Sequence, residues 1–256
     1  MKNSLPIFLF FLTAVASAQE IATGMAPSIV QNNDVPLLYR NEQEFGGVIH
    51  SSGWGFNYRR GKHVTGYIKR IIEAEIVGMK HPKEIKLEVP EIGSKGYFYG
   101  KQFALTILRG GYGYNKIITG KRDRRGVELR LVTLGGPSLA LAKPVYVEIW
   151  HDAPDPPFGK ITTEKFDVDN PLHTTDYIVG RAGYFNGFGE MKFYPGGFLK
   201  LGLSFEHSSL DDDIKLLETG IVMDAYYKTI PVMAKARNNQ IYLNVYLNLM
   251  FGKKWF

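Results

Sequence analysis

The sequence predicts an all-β protein: a closed antiparallel transmembrane β-barrel of about eight strands with one long extracellular loop. Three observations lead there. Short segments alternate in hydrophobicity, the chain opens on an export signal, and no run of roughly 18 apolar residues follows residue 18.

Met1-Lys2-Asn3-Ser4 precedes the apolar run Leu5 to Val15 and then Ala16-Ser17-Ala18. A basic start, a short apolar stretch and an Ala-x-Ala site predict a signal peptide over 1–18, read by the Sec pathway. The run is too short to span a bilayer as a helix. Cleavage after Ala18 leaves 238 of the 256 residues, with 30 basic and 25 acidic side chains. No cysteine is present, which excludes disulfides, thiolate metal sites and cysteine nucleophiles.

Residues 19–44 read as a short periplasmic leader, and 45–256 as the barrel. Along the strands, Leu199, Leu201, Leu203 and Phe205 oppose Lys200, Gly202, Ser204 and Glu206. Ile241 to Phe251 and Leu217 to Ala225 repeat the alternation, and Phe103, Leu105 and Ile107 oppose Gln102, Ala104 and Thr106. Neighbouring residues of a strand face opposite ways, so each segment has one apolar face. Weaker strands are expected near 45–59, 64–78, 127–134 and 139–150. Turns are expected at Arg60-Gly61-Lys62, Gly135-Gly136-Pro137-Ser138 and Asn238-Asn239. A soluble sandwich shares this period. Charges on the polar face (Glu128, Arg130, Glu148, Glu218, Asp224, Lys228) suit a filled lumen, and rings at strand ends suit interfacial girdles.

The last strand, Gln240 to Phe256, closes the barrel. Its apolar parity lands on Trp255 rather than Phe256, so the residues from Gly252 onward are expected to leave the bilayer as a tail. Segment 151–193 exceeds an ordinary connection and is expected to carry local structure, such as a helical turn near Asp176 to Arg181. Segment 80–96 is a second long connection. An up-and-down arrangement with the closing strand ending inward puts 60–63, 113–126, 151–193 and 229–239 outside. Arg59, Arg60, Lys62, Lys121, Arg122, Arg124 and Arg125 are then candidates to contact lipopolysaccharide phosphates.

Several stretches carry a resemblance. They are Tyr39-Arg40-Asn41-Glu42 with Glu44-Phe45-Gly46, Gly53-Trp54-Gly55-Phe56-Asn57-Tyr58-Arg59-Arg60-Gly61-Lys62, Met79 to Lys86, Gly136 to Pro144, and the ending Phe251-Gly252-Lys253-Lys254-Trp255-Phe256. Together they resemble small outer-membrane barrels of the Bacteroidota, in the company of PorT-type barrels. The resemblance implies an eight-stranded barrel in the outer membrane of a Gram-negative cell. It also implies a non-enzymatic accessory role in a barrel-assembly or secretion complex, and it brings no catalytic residues with it.

No phosphate-loop, zinc-protease or nucleophile-elbow signature appears. Arg109-Gly110-Gly111-Tyr112-Gly113-Tyr114 has no helix after it, so close strand packing explains its glycines. The one enzymatic lead is His207 with Ser209, echoed by His50-Ser51-Ser52. A histidine and a serine two apart on one strand face resemble the arrangement of lipid A deacylases, but no acid is clearly placed to orient the imidazole, Glu218 on the next strand being the one candidate. Asp167-Val168-Asp169-Asn170 and Asp211-Asp212-Asp213 lack calcium-loop spacing. The expected partners are outer-membrane lipid, lipopolysaccharide and other envelope proteins. Nucleic acid, metal and small-molecule cofactors are not expected.

Overall fold

The computed structural model describes residues 41–88, 95–120, 126–151, 159–207 and 213–256. The expected signal peptide and the leader as far as residue 40 therefore lie outside the described residues. Eight long strands build the wall: β1 (Asn41–His50), β2 (Gly53–His63), β3 (Ile68–Met79), β6 (Phe103–Thr119), β7 (Glu128–Pro144), β11 (Lys192–Glu206), β12 (Asp213–Tyr226) and β13 (Ile241–Trp255). Five short ones lie outside it: β4 (Lys86–Leu87), β5 (Tyr97–Phe98), β8 (Tyr146–His151), β9 (Lys160–Lys165) and β10 (Ile178–Arg181). The wall closes in the order β1-β13-β12-β11-β7-β6-β3-β2, every neighbour antiparallel. With 10 to 17 residues each, its strands are long enough to cross a hydrocarbon core when tilted.

The expected count of eight holds, but two boundaries behind it do not. The stretch expected as one strand over 45–59 is the β1–β2 hairpin, turned at Ser51-Ser52 between the paired His50 and Gly53. Gly135-Gly136-Pro137-Ser138, expected as a turn, lies in the middle of β7, and Arg60-Gly61-Lys62 lies within β2. These errors cancel in the count and reverse the ends. The turns after β2, β6 and β11 share one end with the C-terminus, and the segments after β1, β3, β7 and β12 share the other. Of the described residues, 60–63 and 113–120 therefore lie at the end opposite 159–193 and 229–239, not beside them.

β7 tolerates its glycines and proline because β6 approaches it closely there and the ladder between them lapses. A Cβ on Gly136 would stand 2.1 Å from the Gly110 carbonyl oxygen. The β6–β7 ladder is continuous to Arg109↔Ser138 and resumes at Tyr112↔Gly135, lapsing opposite Pro137, which has no N–H to give.

The chain leaves the wall at Pro144 and rejoins it at Lys192, so the long excursion starts earlier than expected and contains β8, β9 and β10. These form a small sheet in the order β10-β8-β9, packed over Tyr97, Val147, Ile149, Phe166 and Ile178. The helical turn expected near Asp176 is present as a single turn, the Thr174 carbonyl accepting from the N–H groups of Tyr177 and Ile178, after which the chain runs into β10. The only 3₁₀ turn among the described residues is Phe188–Glu190. At the same end, segment 227–240 folds over the barrel mouth. Ile230, Val232 and Met233 are buried among Phe103, Leu105 and Tyr226, and Gln102 donates its N–H to Val232.

Parity along β6 is the reverse of the expectation. Phe103, Leu105 and Ile107 point into the lumen, under the covering segment, while Ala104, Thr106 and Leu108 point out. Nor does the end of β13 leave the sheet. Gly252 to Trp255 stay paired with Glu44 to Asn41, so the barrel wall begins at Asn41 and not at 45.

Candidate functional site: a charged lumen and an amphipathic rim

The outward face of the wall is apolar. Ile72, Ile76, Leu199, Leu201, Leu243 and Val245 are each about half exposed or more, and Phe251, Phe45 and Tyr58 form a continuous row of outward rings across β13, β1 and β2. A contiguous apolar surface of this extent is a membrane-facing surface.

The inward face is the opposite. Six cations and eight carboxylates are brought inward by period-2 alternation on all eight strands. Arg59 on β2 donates two parallel hydrogen bonds to Glu218 on β12 (2.6 and 3.1 Å) and a third to Glu73 on β3 (2.7 Å). Lys200 bridges Glu73 and Glu75, each at 2.5 Å. Arg109 grips Asp224 through two bonds (2.8 and 2.6 Å) and also reaches Glu75. Nearer the C-terminal end, Lys69 pairs with Glu42 (2.6 Å), while Arg130 donates to Glu128 (2.5 Å) and to Glu206, which Lys254 also meets at 2.5 Å. Tyr246 donates its hydroxyl to Glu218 (2.8 Å). Glu44 accepts no hydrogen bond, and its oxygens stand 3.7 Å from Arg59 and 4.0 Å from Arg130. Charges in so small a barrel are desolvated, so each needs its partner to remain ionised. Together with the segment over the mouth, they fill the interior among the described residues, as expected of so small a barrel.

This arrangement corrects several expected sites. Arg59 is 1% exposed and faces the lumen, so it meets carboxylates and not lipopolysaccharide. Arg60 lies on the outer face over the Trp255 ring, and Lys62 is exposed at the end that carries the C-terminus. Lys121, Arg122, Arg124 and Arg125 lie outside the described residues, as do Ser209, Asp211 and Asp212. His207 and Glu218 are not neighbours. His207 is exposed at the end of β11, while Glu218 is fully buried on the inward parity of β12 and held by Arg59 and Tyr246, so it cannot orient that imidazole. In the echo sequence, the hydroxyls of Ser51 and Ser52 both donate to Asn244 (2.9 and 2.6 Å), and His50 accepts the Ser52 N–H (3.2 Å), which is hairpin closure. Asp167 accepts the Asp169 N–H (3.1 Å), an ordinary Asx turn. Of the charges expected on the polar face, Glu128, Arg130, Glu218 and Asp224 do face the lumen; Glu148 belongs to β8 and Lys228 to the covering segment. Glu42, Glu44, Lys69, Glu73, Glu75 and Arg109 join Arg59, Lys200, Glu206 and Lys254 in the lumen network. Their shared parity with smaller inward residues was the available signal.

In the cap, Glu164 accepts from Thr162 (2.6 Å), from His151 Nε2 (2.7 Å) and, at 3.3 Å, from His173 Nε2. These contacts, the Thr162 hydroxyl foremost, hold its carboxyl at about 2, below the usual 4.5. His173 Nδ1 accepts the Asp167 N–H (2.8 Å), which fixes its tautomer with the proton on Nε2.

A cleft of about 560 Å³ opens where the outward face of β3, β6 and β7 meets the segment from Arg181 to Met191. Ile76, Ala104, Thr106 and Leu141 form its floor, and Lys95, Lys143 and Arg181 stand at its edge.

Closed ladder, apolar belt and filled lumen define a small membrane β-barrel. Neither a family model nor a curated protein sequence matches the chain. Among solved structures it is similar to Ail, the attachment invasion locus protein of Yersinia pestis, at 8% identity and a TM-score of 0.42, over 85% of this chain and 100% of Ail. A second structure of Ail, in complex with the heparin analogue sucrose octasulfate, gives 9% and 0.42 over the same shares. Neisserial surface protein A gives 8% and 0.38, over 85% of this chain and 96% of its own. The barrel is defined by its own hydrogen-bonded ladder and not by these likenesses.

Proposed function

We propose that the protein is a non-enzymatic integral barrel of the Gram-negative outer membrane, exported by the Sec pathway, that presents its cap to envelope partners and contacts lipopolysaccharide. The observation that carries this reading is the lumen: its charges are consumed by one another and its mouth is covered, which suits an anchor rather than a pore or an enzyme. Outer-membrane barrels keep short turns in the periplasm and long segments outside. By that rule the β8–β10 sheet and segment 227–240 face the exterior, and Arg60 and Lys62 face the periplasm. The resemblance to Bacteroidota barrels supports the finer reading, an accessory subunit of an assembly or secretion complex.

Detergent pull-down of the tagged protein from its native membrane, followed by mass spectrometry, tests the subunit role. Stoichiometric envelope proteins are expected, and fewer of them when residues 160–181 are replaced by a short Gly-Ser linker. Recovery of lipid alone contradicts the subunit role. Planar-bilayer recording is expected to give no stable single-channel currents; such currents contradict the anchor.

A further inference from the structure

We propose that the rim cleft beside Lys143 binds one phosphorylated outer-leaflet lipid, its phosphate at Lys143 and Arg181 and its first acyl carbons on Ile76 and Leu141. This rests on the outer-membrane reading above and deepens it by assigning the lipid-contacting residues.

Two observations carry the assignment. The first is the floor. Ile76 on β3 and Leu141 on β7 belong to the outward apolar face, so the cleft is continuous with the surface that meets acyl chains. A water-soluble ligand would have to displace lipid to enter it. The second is charge. Four basic side chains line the cleft, and one of them already has an acid: Lys101 pairs with Glu84 at 2.6 Å. Glu190 accepts from the hydroxyl of the lining Tyr146 (2.5 Å) and pairs with Lys165 (2.7 Å), so its charge is already met. No described carboxylate pairs with Lys95, Lys143 or Arg181. Lys143 donates to the Tyr184 carbonyl and lies over the rings of Tyr184 and Phe188 at 4.3 and 4.9 Å. Three cations around an apolar floor match a phosphate monoester on an acyl lipid, since a zwitterionic headgroup would leave them a positive surplus.

The neighbouring rings fit the same level of the membrane. Tyr184, Phe185 and Phe188 pack into a cluster with centroids 5.6 to 6.0 Å apart, and Phe185 is 81% exposed. Aromatic side chains of this kind settle at the headgroup boundary.

The test uses the full detergent-solubilised protein with bisphosphorylated lipid A as probe, read by native mass spectrometry. One retained lipid A per barrel is expected, with little retention of phosphatidylcholine. The Lys143→Gln/Arg181→Gln variant is expected to lose at least about tenfold in retention, while Lys228→Gln, outside the cleft, keeps it. Heat-modifiable gel mobility shows whether each variant is folded. Equal retention by the folded double variant, or equal retention of phosphatidylcholine, overturns the proposal. Labelling of Phe185→Cys on intact cells by an impermeant maleimide separates the two failures: label without lipid selectivity sinks the cleft alone, and absence of label sinks the outer-membrane reading beneath it.

Discussion

Arg59 and Glu218 meet inside the barrel through two parallel hydrogen bonds although 159 residues separate them in sequence. Two wall strands, β1 and β13, stand between their own strands on the shorter way round. The pair therefore braces the wall across its interior and reports that the wall is closed.

Removing one partner strands the other charge in a desolvated lumen. Glu218→Ala is expected to cost about 3–5 kcal/mol of unfolding free energy, measured by urea titration in detergent micelles. Arg59→Met combined with Glu218→Leu is expected to recover only part of that loss, because it removes the stranded charge at Arg59 but also takes the guanidinium away from Glu73 and Glu44. Strictly additive losses in the double variant would show that the two residues do not act as a pair.

Gly136 sits where β7 passes close to β6. Gly136→Val is expected to destabilise the barrel by about 1–3 kcal/mol, because the added carbons meet backbone that cannot swing aside. Gly120→Val, where no atom lies within 4 Å of an added Cβ, is the control and is expected to be near neutral. Equal heat-modifiable stability of the two variants would contradict the close approach.

Glu164 gives the cap its own pH dependence. Its carboxyl is held at about 2 against an ordinary 4.5, so the ionised form is favoured by folding. The stabilisation is fully present above pH 4.5 and is lost as pH falls towards 2. Protection factors of the 160–165 amides, corrected for intrinsic exchange at each pH, are expected to fall through that window, and Glu164→Gln is expected to flatten the change. An unchanged slope in the variant would assign the effect to other groups.

The strands of the outward apolar belt were legible because period 2 survives wherever one face meets lipid, as in β11 to β13. Local turn chemistry was less informative. Ser51-Ser52 turns the chain without a glycine between its two residues, and its closure depends on Asn244, 193 residues away from Ser51. Gly135-Gly136-Pro137 reads as a turn, yet the barrel uses those residues for a close strand approach and a ladder gap. Once these two boundaries shifted, Arg59 moved from a supposed outer loop to the lumen. Parity with the outward Phe56 and Tyr58 would have placed it inside. The cleft was not legible at all, because Lys95, Lys143 and Arg181 come from three separate segments that only the cap brings together.

Sidedness tests the account most directly, and the cysteine-free sequence makes the measurement clean. Phe185→Cys in the cap and Tyr67→Cys in the β2–β3 turn are both exposed positions, at 81% and 71%. An impermeant maleimide is expected to label Phe185→Cys on intact cells, and Tyr67→Cys only after the outer membrane is permeabilised. Labelling of Tyr67→Cys alone on intact cells would contradict the orientation, and labelling of neither after permeabilisation would contradict the exposed cap and turn themselves.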